Sequence, residues 1–350
     1  MTILNCHTEM TAYHAEKVTL RRADQDEMRT RRDAGRTRLT TGLKRDLHPL
    51  PLEMASQGSY AMRTMHQDEQ SDYDIDDGAY FEKDEVIDAG GEPLIPRAAR
   101  ERVCKALQQD ERLKYPAEVK DNCVRQYYPE GYHIDIPVYR VSERTLSNGD
   151  VVIVYELASG DDWVESDARA VTRWFNDYVG ELNAGEADGS QRRRIIKLTK
   201  KQARSRMDWK QQTASGICIT KLVVDHFVES TGRDDEALYE TCNNIHQALL
   251  RSQRITHPVQ TDTNLAEERD PDVLFFRDRL GEALKTLDIL NAEGCTRSRA
   301  RQAWDQVFNT AFFANQPGSD DTENGTKILA PFATKSSGDQ RRNDDGGRFG

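Results

Sequence analysis

Residues 57–81 read QGSYAMRTMHQDEQSDYDIDDGAYF, and four aspartates are crowded into positions 72–77 of this stretch. Asp is depleted in β-strands and neighbouring like charges repel, so such a group needs a compensating partner. In a strand, Tyr73 and Ile75 point to one face while Asp74 and Asp76 point to the other. Two carboxylates on one face offer the hard oxygen ligands that a divalent cation prefers. The pattern therefore predicts a metal site at Asp74 and Asp76.

Two other interpretations of this stretch are weaker. A calcium-binding EF-hand loop requires glycine at its sixth position. Counted from Asp72 this position holds Asp77, and counted from Asp74 it holds Ala79, so neither register fits. A solvated polar strand face is disfavoured because the aspartates are interleaved with Tyr, Ile and Phe.

A third acidic residue stands in a second predicted strand, HIDIPVYRV (133–141). Asp135 is the one acid of that apolar run, and alternation places it on the same face as His133 and Tyr139. A lone aspartate in such a strand is usually a hydrogen-bonded structural group. Beside a strand that carries Asp74 and Asp76, it becomes the third ligand of a metal site.

Upstream of the aspartates, Gln57, Gly58 and Ser59 lie where a loop enters a predicted helix. Glycine allows the backbone to approach a phosphate closely, and the serine hydroxyl and free N–H groups can donate to it. A Gly-Ser pair is common by chance, and its weight comes from its place ahead of the aspartate strand. We predict phosphate contacts at Gln57, Gly58 and Ser59.

The elements that position these residues follow from the hydrophobic pattern. The first half is mixed, with helices over 9–47 and 95–112 and strands near 72–81, 133–141 and 150–158. The strongly charged first helix is expected to brace a surface rather than fill a core. From residue 164 the pattern is almost entirely helical, with helices near 166–182, 191–207, 214–230, 235–252, 272–292 and 297–313.

Composition excludes some classes of protein. The chain has 350 residues and a net charge of −11, which disfavours binding to nucleic acid by bulk electrostatics. The six cysteines form no C-x-x-C pair, which favours reduced thiols. The start lacks the pattern of a signal peptide, and no apolar run has the length of a membrane span. We expect a soluble cytoplasmic protein without a membrane partner.

Together, Gly58-Ser59, Asp74-Ile75-Asp76 and Asp135 resemble the motifs of the DNA polymerase β-like nucleotidyltransferase superfamily: G-S at a helix start, D-x-D on a strand and a later D. Within it, the chain resembles the bacterial CD-NTases, the cGAS/DncV-like nucleotidyltransferases of anti-phage CBASS systems, and in particular their DncV-like branch. The segments that carry the resemblance are QGSYAMRT, DYDIDDGAYF, CVRQYYPEGYHIDIPVYRV and KLTKKQARSRMDWKQQTASGICITKLVV.

The resemblance implies an α+β fold: a polymerase β-like core of mixed sheet and helices, a helical lobe like that of oligoadenylate synthetases, and a long N-terminal helix that bridges the two. The corresponding regions are 1–48 for the bridging helix, 49–190 for the catalytic core, 191–330 for the helical lobe and 331–350 for a flexible tail.

The resemblance also implies site residues in the second half. Lys200, with Lys197 one turn away, corresponds to the lysine that holds a nucleotide triphosphate, and Ser215 corresponds to a phosphate-binding serine. Family members often carry an aromatic residue where this chain has Gln202. From the residues alone, these lysines also fit a solvated helix face, and Ser215 also fits a helix cap.

The implied activity is synthesis of a cyclic dinucleotide second messenger, of the cyclic GMP-AMP type, from ATP and GTP or other NTPs. Asp74, Asp76 and Asp135 are then the catalytic residues and ligands of two Mg²⁺ ions, with Mn²⁺ as an alternative. A template-independent polymerase of the poly(A) or tRNA-terminal kind is the rival, and an acidic chain without an obligatory DNA or RNA partner disfavours it. The glycine-rich tail suggests that an E2-like or E1/E2-like enzyme conjugates the chain through Gly350.

Overall fold

The computed structural model describes residues 3–68, 73–108, 114–129, 131–179 and 190–317. These residues form two compact units. Leu20–Asp177 form one, which we call the core unit; the residues through Thr19 and those from Tyr178 onward form the other, the helical unit. The predicted N-terminal region 1–48 is thus divided between the two units.

The core unit is built on one mixed sheet. Its strands are β1 (Glu53–Ser56), β2 (Asp74–Glu82), β3 (Glu118–Val119), β4 (Val124–Tyr127), β5 (His133–Ile136), β6 (Val138–Thr145), β7 (Val151–Ser159) and β8 (Asp162–Glu165). They follow the order β3-β4-β5-β2-β6-β7-β8, and β1 pairs with β2 off this path. Its helices are α2 (Arg22–Arg45), α3 (Gly58–Ala61), α4 (Pro96–Leu107) and most of α5 (Ala168–Val179), and the helical unit holds the first helix, α1 (His7–Tyr13).

Strand β2 changes its parallel partner along its length. It pairs with β5 over Asp74–Asp76 and with β6 from Ala79 onward. Pro137 separates β5 from β6, because proline has no N–H to donate to the ladder, and its carbonyl accepts from Ala79 N at 2.9 Å. The single strand predicted over 133–141 is therefore two strands.

Helix α2 contributes to the hydrophobic core, which corrects the expectation of a surface brace. Leu39 and Leu43 are at most 1% exposed and belong to the cluster that buries the apolar sides of α4 and the sheet. The two helices touch at Gly42, where an added Cβ would lie 2.8 Å from the backbone carbon of Ala106. Charged residues dominate the sequence of α2, yet a few apolar side chains at helical spacing are enough to anchor it.

The helical unit also contains a π-helical turn (His14–Val18), α6 (Gln191–Ala203), α7 (Gly216–His226), α8 (Asp234–Arg251), α9 (Pro271–Leu287), α10 (Arg297–Phe308) and the short strands β9 (Ile255–Thr256) and β10 (Asn264–Ala266). Tyr13 packs its ring on Phe308 and Phe313, with ring centroids 4.7 and 4.9 Å away. The buried Glu9 carboxylate accepts from the guanidinium groups of Arg297 and Arg301. These contacts hold the N-terminal helix in this unit.

The predicted α+β fold class is confirmed: one unit combines a mixed sheet with helices that include a long one near the N-terminus, and the other unit is largely helical. The predicted helices of the second half are all present, with ends that differ by a few residues. Within the described ranges, no helix combines the length and apolarity needed to span a bilayer.

Candidate active site

Three neighbouring strands of the core unit present polar side chains on one face of the sheet. Asp74 of β2 lies opposite His133 of β5, and Asp76 lies opposite Asp135 two residues further along both strands. On the far side of β5, Arg125 and Tyr127 of β4 lie opposite Asp135 and His133. Paired residues point to the same face of a sheet, so these side chains form one surface. Its members are Asp74, Asp76, Tyr127, Arg125, His133 and Asp135.

Three of these side chains converge. One ligand atom each of Asp74, His133 and Asp135 lies within 4.8 Å of the others. His133 Nε2 is 3.1 Å from an Asp74 carboxylate oxygen. The Asp74 side chain is 52% exposed, whereas that of Asp135 is fully buried. The cluster therefore extends from the sheet interior to solvent, which leaves a path for an ion or a phosphate to enter.

Arg125 forms a bidentate ion pair with Asp135. Nε and Nη2 each donate to one oxygen of the Asp135 carboxylate, both at 2.7 Å. A bidentate pair of this kind fixes the plane of a carboxylate as well as neutralising it. Sequence reasoning missed Arg125; the available signal was a charged residue in the otherwise uncharged segment CVRQYY, because a buried arginine is usually paired.

Asp76 lies against Gly58. An added Cβ at Gly58 would overlap the Asp76 Oδ2 atom and lie 3.3 Å from its Cγ atom. Gly58 has a φ of +57°, and the preceding backbone N–H, of Gln57, donates to the Asp76 carbonyl at 2.9 Å. The structure thus brings Gly58, the first residue of α3, directly beside the aspartate strand, and Ser59 follows it in the helix.

Burial and neighbouring charges shift the pKa values of the residues in this cluster. Burial raises the pKa of Asp76, and the charges of Asp74 and Asp135 raise it further. Burial also raises the pKa of Asp135, against the opposing hydrogen bonds of Arg125. Burial acts to lower the pKa of His133, but its contact with Asp74 outweighs this and leaves the pKa raised. Each shift reflects negative charge gathered in a poorly solvated place.

These residues fit a divalent cation. Asp74, His133 and Asp135 bring their ligand atoms together, and Asp76 on the same face has an Oδ1 atom that is buried without a hydrogen-bond partner. A buried acceptor that lacks a donor is costly, and a cation would satisfy it. The predicted pair Asp74 and Asp76 and the predicted third acid Asp135 thus share one face, with His133 as an addition.

The structure gives Gln57 a different role from the predicted phosphate contact. Its side chain is 1% exposed, its Nε2 donates to the Tyr80 hydroxyl at 2.6 Å and its Oε1 accepts from the Tyr139 hydroxyl at 3.2 Å. The two tyrosine rings stack with centroids 4.5 Å apart. An added Cβ at Gly78 would overlap the Gln57 amide, so the glycine leaves room for it. The Gln57 side chain therefore packs the core and is not available to a phosphate.

Asp77 lies on the opposite face of β2 and pairs with helix α2. Its carboxylate is 4% exposed and accepts from Arg36 Nε at 2.7 Å and from Ser56 Oγ at 3.1 Å. Strand β2 continues through Asp77 and Gly78 without a break. Asp77 anchors the strand that carries Asp74 and Asp76. The flanking Asp72 lies outside the described residues.

The predicted phosphate-binding residues of the second half lie in the helical unit. Lys197 and Lys200 of α6 are 6% and 5% exposed, so this is not a solvated helix face. Burial, with the nearby charge of Arg204, lowers the pKa of Lys200 to about 7. Ser215 caps α7 by accepting from Cys218 N at 3.3 Å, and Lys200 Nζ would lie 3.8 Å from a Cβ added at Gly216. Lys200 and the N-terminus of α7 are therefore neighbours.

Gly350 and the whole predicted tail, residues 331–350, lie outside the described residues.

Comparison with known proteins places this fold and polar face among similar proteins. Residues 52–139 match the family model for the nucleotidyltransferase domain of the cyclic GMP-AMP synthase DncV-like proteins. This segment includes Gly58, Asp74, Asp76 and Asp135. Residues 52–139 are therefore similar to a DncV-like nucleotidyltransferase domain, and the predicted resemblance to the DncV-like branch of the CD-NTases is confirmed.

Similar proteins extend this match. A cyclic GMP-AMP synthase of Escherichia albertii is 23% identical over 234 residues, which cover 65% of this chain and 48% of that protein. This chain thus spans about half the length of that curated relative. A Vibrio cholerae DncV structure in complex with the linear intermediate 5′ pppA(3′,5′)pG superposes with a TM-score of 0.66 at 16% identity, covering 88% of this chain and 96% of that one.

A GTP-analogue complex gives a similar result. The 3′-deoxy GTP bound form of Escherichia coli DncV superposes with a TM-score of 0.61 at 18% identity, covering 86% of this chain and 94% of that one. At these identities the structural likeness establishes the fold.

Proposed function

We propose that this chain joins two nucleoside triphosphates into a cyclic dinucleotide, with ATP and GTP as substrates and a cyclic GMP-AMP-type product. The observation that carries the proposal is the registered polar face of β2 and β5, where Asp74 and Asp76 lie opposite His133 and Asp135. Gly58 lies against Asp76 on the same side. Carboxylates beside a glycine at a helix start are what transfer of a nucleotidyl group requires: cation ligands next to a place for phosphates.

Each transfer forms one phosphodiester bond. A ribose hydroxyl oxygen of one nucleotide attacks the α-phosphorus of the other, the bond to the leaving pyrophosphate breaks, and the hydroxyl proton passes to solvent or to a carboxylate. Repeating this step within the linear intermediate closes the ring and releases a second pyrophosphate. Divalent ions supply charge neutralisation for the phosphates and lower the pKa of the attacking hydroxyl.

The protein's own residues prepare the site for this step. Asp74, Asp76 and Asp135 would hold two Mg²⁺ ions, or Mn²⁺ in their place. Arg125 fixes the plane of the Asp135 carboxylate, which keeps one lone-pair direction of each oxygen available. Gly58 permits close approach of a phosphate, and Ser59 offers a hydroxyl donor. In the helical unit, Lys197, Lys200 and Ser215 remain our predicted triphosphate-binding residues.

The biological setting is part of the proposal. We place the enzyme in the bacterial cytoplasm, as the cyclase of a CBASS antiviral system. The relatives named cyclic GMP-AMP synthase support the product class. Conjugation through Gly350 by an E2-like or E1/E2-like enzyme also remains a prediction, and deletion of Gly350 should abolish any covalent adduct while leaving nucleotide turnover intact.

Incubation of the protein with all four labelled NTPs and Mg²⁺, followed by phosphatase treatment, tests this function. A phosphatase-resistant small product supports the cyclase. Long products support the template-independent polymerase, which uses a similar set of carboxylates. The double variant Asp74→Asn/Asp76→Asn should make no product, whereas Asp161→Asn/Asp162→Asn, an acidic pair at the β7–β8 turn, should retain full turnover. Full turnover in the first variant would contradict the metal assignment.

A further inference from the structure

His133 occupies the position in the polar face from which a side chain can reach a bound cation. Its Nε2 atom is 3.1 Å from an Asp74 oxygen, and it belongs to the group whose ligand atoms lie within 4.8 Å of one another. Asp135, the other member of that group, is two residues further along the same strand. The side chain of His133 is 12% exposed, so it is held inside the cluster rather than extended into solvent.

The sheet register fixes this placement. His133 is paired with Asp74 on β2 and with Tyr127 on β4, and a slip of one residue would move Asp135 off the site face as well. The Tyr127 ring flanks the imidazole, with ring centroids 6.0 Å apart. The Nε2 atom, a frequent metal-binding atom of histidine, is thus turned toward the carboxylates.

An imidazole changes which cation such a site prefers. Carboxylates alone suit Mg²⁺, which takes oxygen ligands and dehydrates reluctantly. An imidazole nitrogen favours transition-metal ions, whose affinities rise from Mn²⁺ to Co²⁺ along the Irving–Williams series. We propose that His133 is a direct ligand of the catalytic divalent cation, and that the centre binds Mn²⁺ and Co²⁺ more tightly than Mg²⁺. The inference rests on the proposed function for the presence of a divalent centre.

The alternative role for His133 is to orient Asp74 through a hydrogen bond, without touching the ion. The two roles differ in one observable property, which is whether a histidine nitrogen lies in the coordination sphere. In the orienting role, removal of the imidazole would weaken all divalent ions alike. In the ligand role, it would weaken Mn²⁺ and Co²⁺ selectively.

Pulsed electron paramagnetic resonance on the full chain loaded with Mn²⁺ alone, without nucleotide, distinguishes them. We expect the modulation of a directly bound ¹⁴N nucleus in the unsubstituted protein. The modulation should vanish in His133→Asn and persist in His48→Asn, a histidine beyond the end of α2. Absence of ¹⁴N modulation in the unsubstituted protein would overturn the inference whatever the variants do, and its persistence in His133→Asn would overturn it as well.

Metal titration gives the second readout. His133→Asn should weaken Mn²⁺ and Co²⁺ binding by about 10–100-fold and leave Mg²⁺ affinity within about threefold. Equal weakening of all three ions would assign His133 to the orienting role. Because no nucleotide is present, this measurement is separate from the proposed function. A histidine nitrogen bound to Mn²⁺ in a protein that makes no cyclic product would support this inference and overturn the proposed cyclase activity.

Discussion

Replacing Gly58 by alanine perturbs the site at the contact between the glycine and Asp76. The added Cβ would overlap Asp76 Oδ2 and sit 3.3 Å from Cγ. Heavy atoms rarely approach a Cβ within 3.0 Å, so the carboxylate oxygen must move by about 1 Å. Displacement of this size in a catalytic group lowers turnover by about 100-fold. The positive φ of +57° adds a separate backbone cost of about 1–2 kcal/mol.

Gly160→Ala is the matched control for Gly58→Ala. Gly160 has a φ of +53° in the same unit, but an added Cβ there has no heavy atom within 4 Å. Both variants should therefore lose about 1–2 kcal/mol in urea unfolding. Only Gly58→Ala should lose turnover and divalent-cation affinity. If the two variants differed in turnover by less than about threefold, the close packing of Gly58 on a catalytic carboxylate would be refuted.

Three further predictions concern the stability of the protein. Gly42→Ala should cost about 1–3 kcal/mol of unfolding free energy, because its Cβ would overlap the backbone of α4. Gly35→Ala, which has open space in the same helix, should instead stabilise the protein by about 0.5–1 kcal/mol. Urea unfolding midpoints compare the two variants. Arg36→Ala should cost about 2 kcal/mol of unfolding free energy, because it removes the ion-pair partner of the buried Asp77 carboxylate. The exposed Arg22→Ala should cost about 0.3 kcal/mol. Equal losses in the two variants would contradict the anchoring role of Asp77. Lys200→Met should raise the unfolding free energy most below pH 7, where the buried ammonium of the unsubstituted protein is charged. This gain in stability should fade toward about pH 10, near the pKa of an unperturbed lysine. Urea unfolding across this pH range checks it, and a gain independent of pH would contradict the lowered pKa of Lys200.

The local pattern was sufficient for the faces of the two aspartate-bearing strands. Side chains alternate along a strand, so the shared direction of Asp74 and Asp76 could be read directly from the sequence. The order of mixed and helical halves followed in the same way from hydrophobic period. The division of 133–141 at Pro137 was signalled by the proline itself.

Contacts between distant parts of the chain could not be read in this way. The grip of Arg125 on Asp135 depends on the register of β4 against β5, and the pair of Arg36 with Asp77 joins residues 41 positions apart. Without knowledge of such contacts, the pairing of Asp77 with Arg36 cannot be predicted from neighbouring residues. The contacts of the Gln57 side chain could not be predicted for the same reason, because its partners are tyrosines of β2 and β6.

The burial of the lysines of α6 shows a further limit of the local pattern. In KLTKK, charge alone favours a solvated helix face, yet Lys197 and Lys200 are buried. Desolvation of an ammonium is costly, so the burial of these two groups depends on tertiary surroundings that the local sequence pattern does not show. Only the resemblance to a nucleotidyltransferase family singled out these residues.

Joining of ATP and GTP into a cyclic dinucleotide is tested most directly by the mass of the product. The protein is incubated with ATP, GTP and Mg²⁺, treated with phosphatase and measured by mass spectrometry. The account predicts a species with the mass of AMP plus GMP less two waters, which is absent from Asp74→Asn/Asp76→Asn. A linear dinucleotide, a longer polymer or unreacted nucleosides alone would contradict it.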